Sequence, residues 1–153
     1  MIKKKVLFLC THNSARSQIA EGLLRTMHGD RYEAFSAGTE ATGVNPYVFK
    51  SMAEIGIDLS GHRSKHLQEF LNDEFEYVVT VCDSANEHCP YFPNAKHRIH
   101  KSFPDPSQFT GTEAEILKKI ATVRKEIKAW IQETFGGIFR GQRRGLYRAS
   151  ASD

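Results

Sequence analysis

Val6-Leu7-Phe8-Leu9-Cys10-Thr11-His12-Asn13-Ser14-Ala15-Arg16-Ser17 is the stretch from which the fold can be read. An unbroken apolar run reaches a cysteine, five small or polar residues follow, and Arg16-Ser17 opens a pattern with helical spacing. A strand that is apolar on both sides is covered on both faces, so residues 5–9 are expected at the centre of a parallel sheet. Cys10 then stands at the carboxyl end of that strand. The turn and the helix N-terminus behind it aim backbone N–H groups at whatever lies above the sulfur, which makes a cradle for a tetrahedral anion. The same field favours a thiolate, and Cys10 is expected to be a nucleophile at neutral pH. Arg16 supplies a planar fork of donors matched to two oxygens of a phosphate-like group. Thr11, His12, Asn13, Ser14, Ala15 and Ser17 complete the cradle. Ser17 is placed either to donate to the Cys10 sulfur or to cap the helix, and His12 reads as polar lining rather than as a catalyst.

Strands and helices alternate outward from this stretch. Ile19, Ala20, Leu23, Leu24 and Met27 space a helix over residues 17–28, closed by Gly29. Residues 32–37 form the second expected strand. Asn45-Pro46 is a helix start, with Asn as cap and Pro in the first turn, and Val48, Phe49, Met52 and Ile55 as its inward stripe before Gly56. Leu67, Phe70 and Leu71 suggest a short helix in an otherwise polar segment. A third strand is expected over 76–81, ending at Cys82. Residues 83–94 read as a loop with at most one helical turn, and 96–100 as a short last strand. Thr112 and Glu115 form a capping-box signature. Behind them Ile116, Ile120, Val123, Ile127, Trp130, Ile131 and Thr134 mark one face of a long helix that ends at Gly136-Gly137. The whole is an α/β pattern: a single-domain open parallel sheet of about four strands, with helices on both faces and ligands beyond the strands' carboxyl ends.

With 153 residues, one domain over residues 1–135 is expected, followed by a basic, disordered tail over 136–153. The net charge of +3 belongs to that tail, since Arg140, Arg143, Arg144 and Arg148 face only Asp153 there. Residues 1–135 carry 17 charges of each sign, so no general nucleic-acid surface is expected. The apolar core after Lys3-Lys4-Lys5 is too short for a signal peptide, and no stretch is long enough to span a membrane. Three cysteines cannot all pair within one chain, which fits a reducing cytoplasm.

Cys82 and Cys89 lie seven apart on a polar segment that contains no large apolar residue between them, and two such thiols can form a disulfide if the segment brings them together. Two other readings stay open: one core and one idle thiol, or a zinc site drawn from Cys82, His88, Cys89, His97 and His100. The cysteine spacing matches no compact zinc pair, so no metal or cofactor is expected. Asp105, stiffened between Pro104 and Pro106, is a candidate general acid or an ordinary turn aspartate.

Cys10-x5-Arg16-Ser17, the Asp105-Pro106 loop and the Cys82/Cys89 pair together resemble the thioredoxin-coupled arsenate reductases, which are built on the low-molecular-weight tyrosine phosphatase fold. The resemblance covers about residues 5–135. It implies a thiol relay: Cys10 attacks arsenate held by Arg16 and the loop amides, Asp105 protonates the departing oxygen, Cys82 attacks Cys10, and Cys89 then pairs with Cys82 in a disulfide that thioredoxin reduces. Phosphate or sulfate would mimic the substrate, and a monomer is expected. It further implies a potassium site at Asn13, Glu21 and Ser36, but Lys65 stands where an aspartate would complete it, so little potassium dependence is expected. A tyrosine-type phosphatase is the alternative; it is weakened by His12, Ala15, Gln18 and Ser107-Gln108, where phosphatase relatives carry other residues. A non-catalytic oxyanion-binding or redox-sensing regulator is the third reading.

Overall fold

The run 6–9 folds as the sequence dictates: Val6, Leu7, Phe8 and Leu9 have no exposed surface at all. The computed structural model of the chain describes residues 2–83 and 89–136. In chain order these form β1 (Lys4–Cys10), α1 (Arg16–His28), β2 (Tyr32–Gly38), α2 (Pro46–Ala53), β3 (Phe75–Thr80), β4 (Ala95–His100) and α3 (Glu113–Phe135), with 3₁₀ turns at Leu67–Phe70 and Pro106–Gln108. The strands lie in the order β2-β1-β3-β4, and every neighbouring pair is parallel. β1 therefore sits between β2, which the chain visits next, and β3, to which it crosses back. Such a reversal leaves a crevice at the carboxyl ends of the central strands.

Side chains alternate across β1. Val6, Phe8 and Cys10 join a cluster with Ile19, Leu23 and Leu24 of α1, Val48 and Met52 of α2, and the buried stripe of α3. Leu7 and Leu9 face the other way, onto Phe75, Val78 and Phe92, with Phe35, Leu67 and Phe70 packed at the margin. Both faces are covered, but unequally. The three α-helices share the first face, while a 3₁₀ turn and aromatic side chains cover the second.

The caps match the sequence. Asn45 Oδ1 accepts from Tyr47 N at 2.8 Å with Pro46 behind it. Thr112 Oγ1 accepts from Glu115 N at 3.2 Å while Glu115 Oε1 accepts from Thr112 N at 2.8 Å. Two stripes differ from expectation. α2 is only eight residues long, so Ile55 falls in the turn beyond it, and Phe49 is rotated off the inward face; both are more than a third exposed. In α3, Trp130 is half-buried and Thr134 exposed, and the last inward contact is Phe135, whose ring meets Phe8, Tyr32 and Tyr77 edge-on. Arg124 is buried against α2, donating to Ser51 O at 2.7 Å and Ser51 Oγ at 2.9 Å.

Among the described residues no helix is long and apolar enough to cross a membrane. The expected tail, apart from Gly136, and the central part of the 83–94 loop lie outside the described residues.

Candidate active site

The loop between β1 and α1 is held from behind. Thr11 O accepts from Glu40 N at 2.9 Å, His12 O from Ser64 Oγ at 2.9 Å, and Ser14 O from Asn45 N at 2.9 Å. A trans peptide sets its N–H opposite its C=O. With these carbonyls drawn outward, the amides of His12, Asn13 and Ala15 turn inward. The bend passes through Asn13, whose φ of 50° lies in the left-handed region that asparagine tolerates better than most residues. Gly38, at the end of β2, lies directly against this loop. A Cβ there would come within 2.5 Å of Thr11 O, 2.7 Å of Cys10 O and 2.9 Å of Asn13 N.

Cys10 is 2 % exposed and carries a free thiol. Its Sγ lies 2.8 Å from Ser17 Oγ. The direction of that bond follows from the neighbours. Asn13 Oδ1 accepts from Lys65 N at 2.8 Å, and a backbone N–H can only donate, so the amide group of Asn13 is fixed with Nδ2 toward Ser17 Oγ, also at 2.8 Å. Ser17 Oγ accepts that bond and is left to donate to the Cys10 sulfur. Of the two roles open to Ser17, this is the one it fills; α1 begins at Arg16 without a side-chain cap.

The network extends inward. Gln18 Nε2 donates to Asn13 Oδ1 at 3.0 Å, His62 Nδ1 donates to Gln18 Oε1 at 2.9 Å, and Arg25 Nη1 donates to His62 Nε2 at 2.8 Å. Arginine has no acceptor, so His62 must be the neutral Nδ1–H tautomer. Burial lowers the His62 pKa, with Arg25 and Lys65 adding to the effect and Glu21 opposing it. Glu21, 5 % exposed, accepts from Ser36 Oγ and Arg25 Nη2. Lys65 Nζ lies 3.7 Å from Glu21 Oε1 and donates to Arg63 O at 2.9 Å; burial lowers its pKa too, against the pull of Glu21. Of the three residues expected at a potassium site, Glu21 and Ser36 are bonded directly and Asn13 is linked to them through Lys65, whose N–H donates to Asn13 Oδ1 and whose ammonium group faces the carboxylate. Gln18, His62 and Arg25 are the members of this network not singled out as site residues from sequence. Their signal was available: Gln18, Glu21 and Arg25 form a second, polar row at helical spacing beside the apolar stripe of α1.

Arg16 is 3 % exposed. Its Nη1 donates to Phe103 O at 3.5 Å, and its Nη2 lies 3.5 Å from Asp105 Oδ2. Asp105 Oδ1 accepts from Ser107 N at 3.0 Å. The two readings of Asp105 are therefore compatible, since one oxygen makes the turn while the other faces the loop. His12 points away, with Nδ1 3.9 Å from Glu40 Oε1. Cys82 follows β3 and is fully buried in the same cluster as Cys10. It is bonded to Cys89, with the α carbons 5.9 Å apart. Of the histidines considered as zinc ligands, His100 lies beside this pair, whereas His97 stacks on Tyr77 and its Nε2 is 3.5 Å from Glu76 Oε2. His88 lies outside the described residues.

Residues 5–135 match the sequence model of the low molecular weight phosphotyrosine protein phosphatases. The chain belongs to that family. Within it, the chain is 45% identical over 127 residues to an arsenate reductase of Halalkalibacterium halodurans, a match covering 83% of this chain and 91% of the relative. Its fold is similar to that of an arsenate reductase solved in a phosphate-binding state, at 30% identity and a TM-score of 0.72, covering 84% of this chain and 94% of that one. A thioredoxin-dependent arsenate reductase from Corynebacterium glutamicum superposes with a TM-score of 0.59 at 30% identity, covering 85% of this chain and 62% of the longer neighbour. A phosphoryl-transfer site needs one thiol and not three, so the Cys82–Cys89 pair is chemistry beyond what such a site requires.

Proposed function

We propose that this protein reduces arsenate to arsenite through Cys10, Cys82 and Cys89, with thioredoxin as the reductant. The reading rests on one observation above all: a free Cys10 in an anion-binding loop shares a core cluster with a Cys82–Cys89 disulfide. Arsenate has the charge and shape of phosphate, so the inward amides and Arg16 suit it. Cys10 Sγ bonds to arsenic as an oxygen leaves, protonated by Asp105. Cys82 Sγ then attacks Cys10 Sγ; the electron pair of the sulfur–arsenic bond stays on arsenic, which departs as arsenite, and a Cys10–Cys82 disulfide remains. Cys89 attacks Cys82, freeing Cys10 and leaving the Cys82–Cys89 disulfide for an external dithiol. A free Cys10 beside a Cys82–Cys89 disulfide is the pattern that this last step would leave, which supports the reading. The names of the relatives support the substrate, and the Corynebacterium glutamicum neighbour supports thioredoxin. On this reading residues 1–135 are the catalytic unit and 136–153 an appended tail.

The trapping experiment is direct. Reduced Cys89→Ser protein mixed with arsenate is expected to accumulate a Cys10–Cys82 disulfide, detected by peptide mass spectrometry, with one arsenite released per chain. A phosphatase or a non-turnover regulator would leave both thiols free. Arsenate-dependent NADPH consumption with thioredoxin and its reductase is the accompanying turnover assay.

A further inference from the structure

Away from the anion loop, the described residues gather a set of metal-binding side chains. The sulfurs of Cys82 and Cys89 and one imidazole nitrogen of His100 all lie within 4.8 Å of one another. Their meeting is built by the sheet. Thr80 is paired with His100 across β3 and β4, and Lys101 N donates to Thr80 O at 2.9 Å, so Cys82 and His100 leave two adjacent strand ends together.

We propose that the reduced, dithiol form of Cys82 and Cys89, together with His100, binds a soft divalent cation of the zinc type, and that the disulfide abolishes this site. Two thiolates and an imidazole are the donors zinc prefers. Bond lengths of about 2.3 Å to sulfur and 2.0–2.1 Å to nitrogen put tetrahedral ligand atoms roughly 3.5–3.8 Å apart; the His100 nitrogen is already within 4.8 Å of both sulfurs, and the sulfurs, bonded to each other here, separate to that distance once the disulfide is reduced. Three protein ligands leave a fourth position for water. The cysteine spacing alone speaks against the set, because six residues separate the pair, and it is the neighbouring strand that supplies the third ligand.

The surroundings suit a ligating histidine. His100 Nδ1 is 2.7 Å from Thr80 Oγ1 and Nε2 is 3.0 Å from Ser102 Oγ, which also donates to Cys82 O at 3.2 Å. With its one proton donated to Cys82 O, Ser102 Oγ accepts from His100 Nε2–H, which leaves Nδ1 the lone pair for the ion and makes Ser102 the partner that orients the ring, as second partners of metal-bound histidines do. Cys89 and His100 also line a cavity of about 260 Å³, together with Thr80, Tyr91 and Arg98, which gives a small ion a route in.

The chemistry balances simply. A dithiol or phosphine reductant supplies the two electrons that cleave the disulfide, and two protons complete the thiols. Binding the ion then releases those two protons and transfers no electrons. The site therefore exists in one redox state only. Its consequence for turnover, inhibition by sequestering both resolving thiols, rests on the proposed relay; the binding itself does not.

The test uses Cys10→Ser protein, so that the remaining free thiol cannot contribute, reduced with a phosphine under anaerobic conditions and titrated with cobalt(II). The expected result is one cobalt per chain, with a near-ultraviolet thiolate charge-transfer band and intense visible bands of a tetrahedral ion, all erased by zinc. Oxidised protein should give none of these. Ser102→Ala should weaken binding about tenfold, and His100→Ala, at an exposed position, by more than that with loss of the tetrahedral bands. A reduced protein without the thiolate band, an oxidised protein with the same spectrum, or a His100→Ala spectrum equal to the parent's would each overturn the proposal. Arsenate turnover is not a readout here, so failure of the relay and failure of this site are separately visible.

Discussion

Replacing Gly38 by alanine tests how the anion loop keeps its shape. The added Cβ would lie 2.5 Å from Thr11 O and 2.9 Å from Asn13 N, where ordinary contact begins at 3.4 Å. The Thr11 carbonyl must then retreat by about 0.9 Å and the Asn13 amide by about 0.5 Å, if Gly38 stays in register with Cys10. Both are main-chain atoms with no rotamer to escape into. Overpacking of this kind costs about 1–3 kcal/mol, which for a chain of this size lowers the melting temperature by about 2–12 °C. The effect on function is larger, since displacing a positioned group by about 1 Å loses about 10²-fold in rate. Thermal melting, calorimetric titration of the reduced protein with inorganic phosphate, and thioredoxin-coupled arsenate turnover would measure the three consequences. Gly22→Ala is the control. Its Cβ meets only side-chain ends, the nearest being Met52 Cε at 3.2 Å, and an alanine inside α1 gains up to about 1 kcal/mol of helix propensity. It should match or exceed the parent in stability and retain turnover. A Gly38→Ala protein with parental phosphate affinity and turnover would refute the account of the loop as a shape set from behind.

Three further outcomes are expected. Ser17→Ala removes the donor to the Cys10 sulfur; a hydrogen bond to a charged group is worth about 1.5–3 kcal/mol, so turnover and the rate of Cys10 alkylation should fall about 10–100-fold, and a change under twofold would count against the assigned bond direction. His62 and His28 both have pKa values lowered by burial from 6.5, so the unfolded chain takes up protons first as the pH drops, and stability present above about pH 6.5 is lost below it. Urea midpoints for His62→Gln should depend less on pH over that window than the parent's, and parallel curves would show that His62 is not a contributor. Turnover should be equal in potassium and sodium at the same ionic strength, because Lys65 already places a cation near Glu21; several-fold activation by potassium would contradict this.

The elements that could be read from sequence are those whose local pattern and tertiary role agree. β1 is apolar throughout because both its faces are covered, and the caps at Asn45 and Thr112 are local chemistry that any tertiary setting must respect. The stripes depart from expectation at the ends of α2 and α3, and at Phe49 within α2. Nothing in residues 46–56 says that α2 stops at Ala53, and beyond Ile131 the helical period allows either Thr134 or Phe135, of which the neighbouring aromatic rings take Phe135. In the candidate site, the placement of Cys10, Arg16 and Asp105 was legible because each stands in its own short motif. The path from Arg25 through His62 and Gln18 to Asn13 was not, since His62 comes from a polar loop whose position depends on contacts 37 and 44 residues away in sequence. The unequal cover of the two sheet faces was hidden for the same reason: the alternation of strands and helices counts crossovers but does not say how much helix lands on each side.

The pairing of β1 with β3 has one more implication. Leu9 is opposite Thr80, and Val81 N donates to Leu9 O at 2.9 Å, so Cys10 and Cys82 leave neighbouring rungs of one ladder. The encounter that the proposed relay requires of them is thus written in the main chain and not in any side chain near the sulfurs. Deleting a single residue from β3 would turn Cys82 to the opposite face while leaving every cysteine and every loop residue in place. A survey that recognises such enzymes by counting cysteines would accept that chain as intact; the phase of β3 is what inheritance has to preserve.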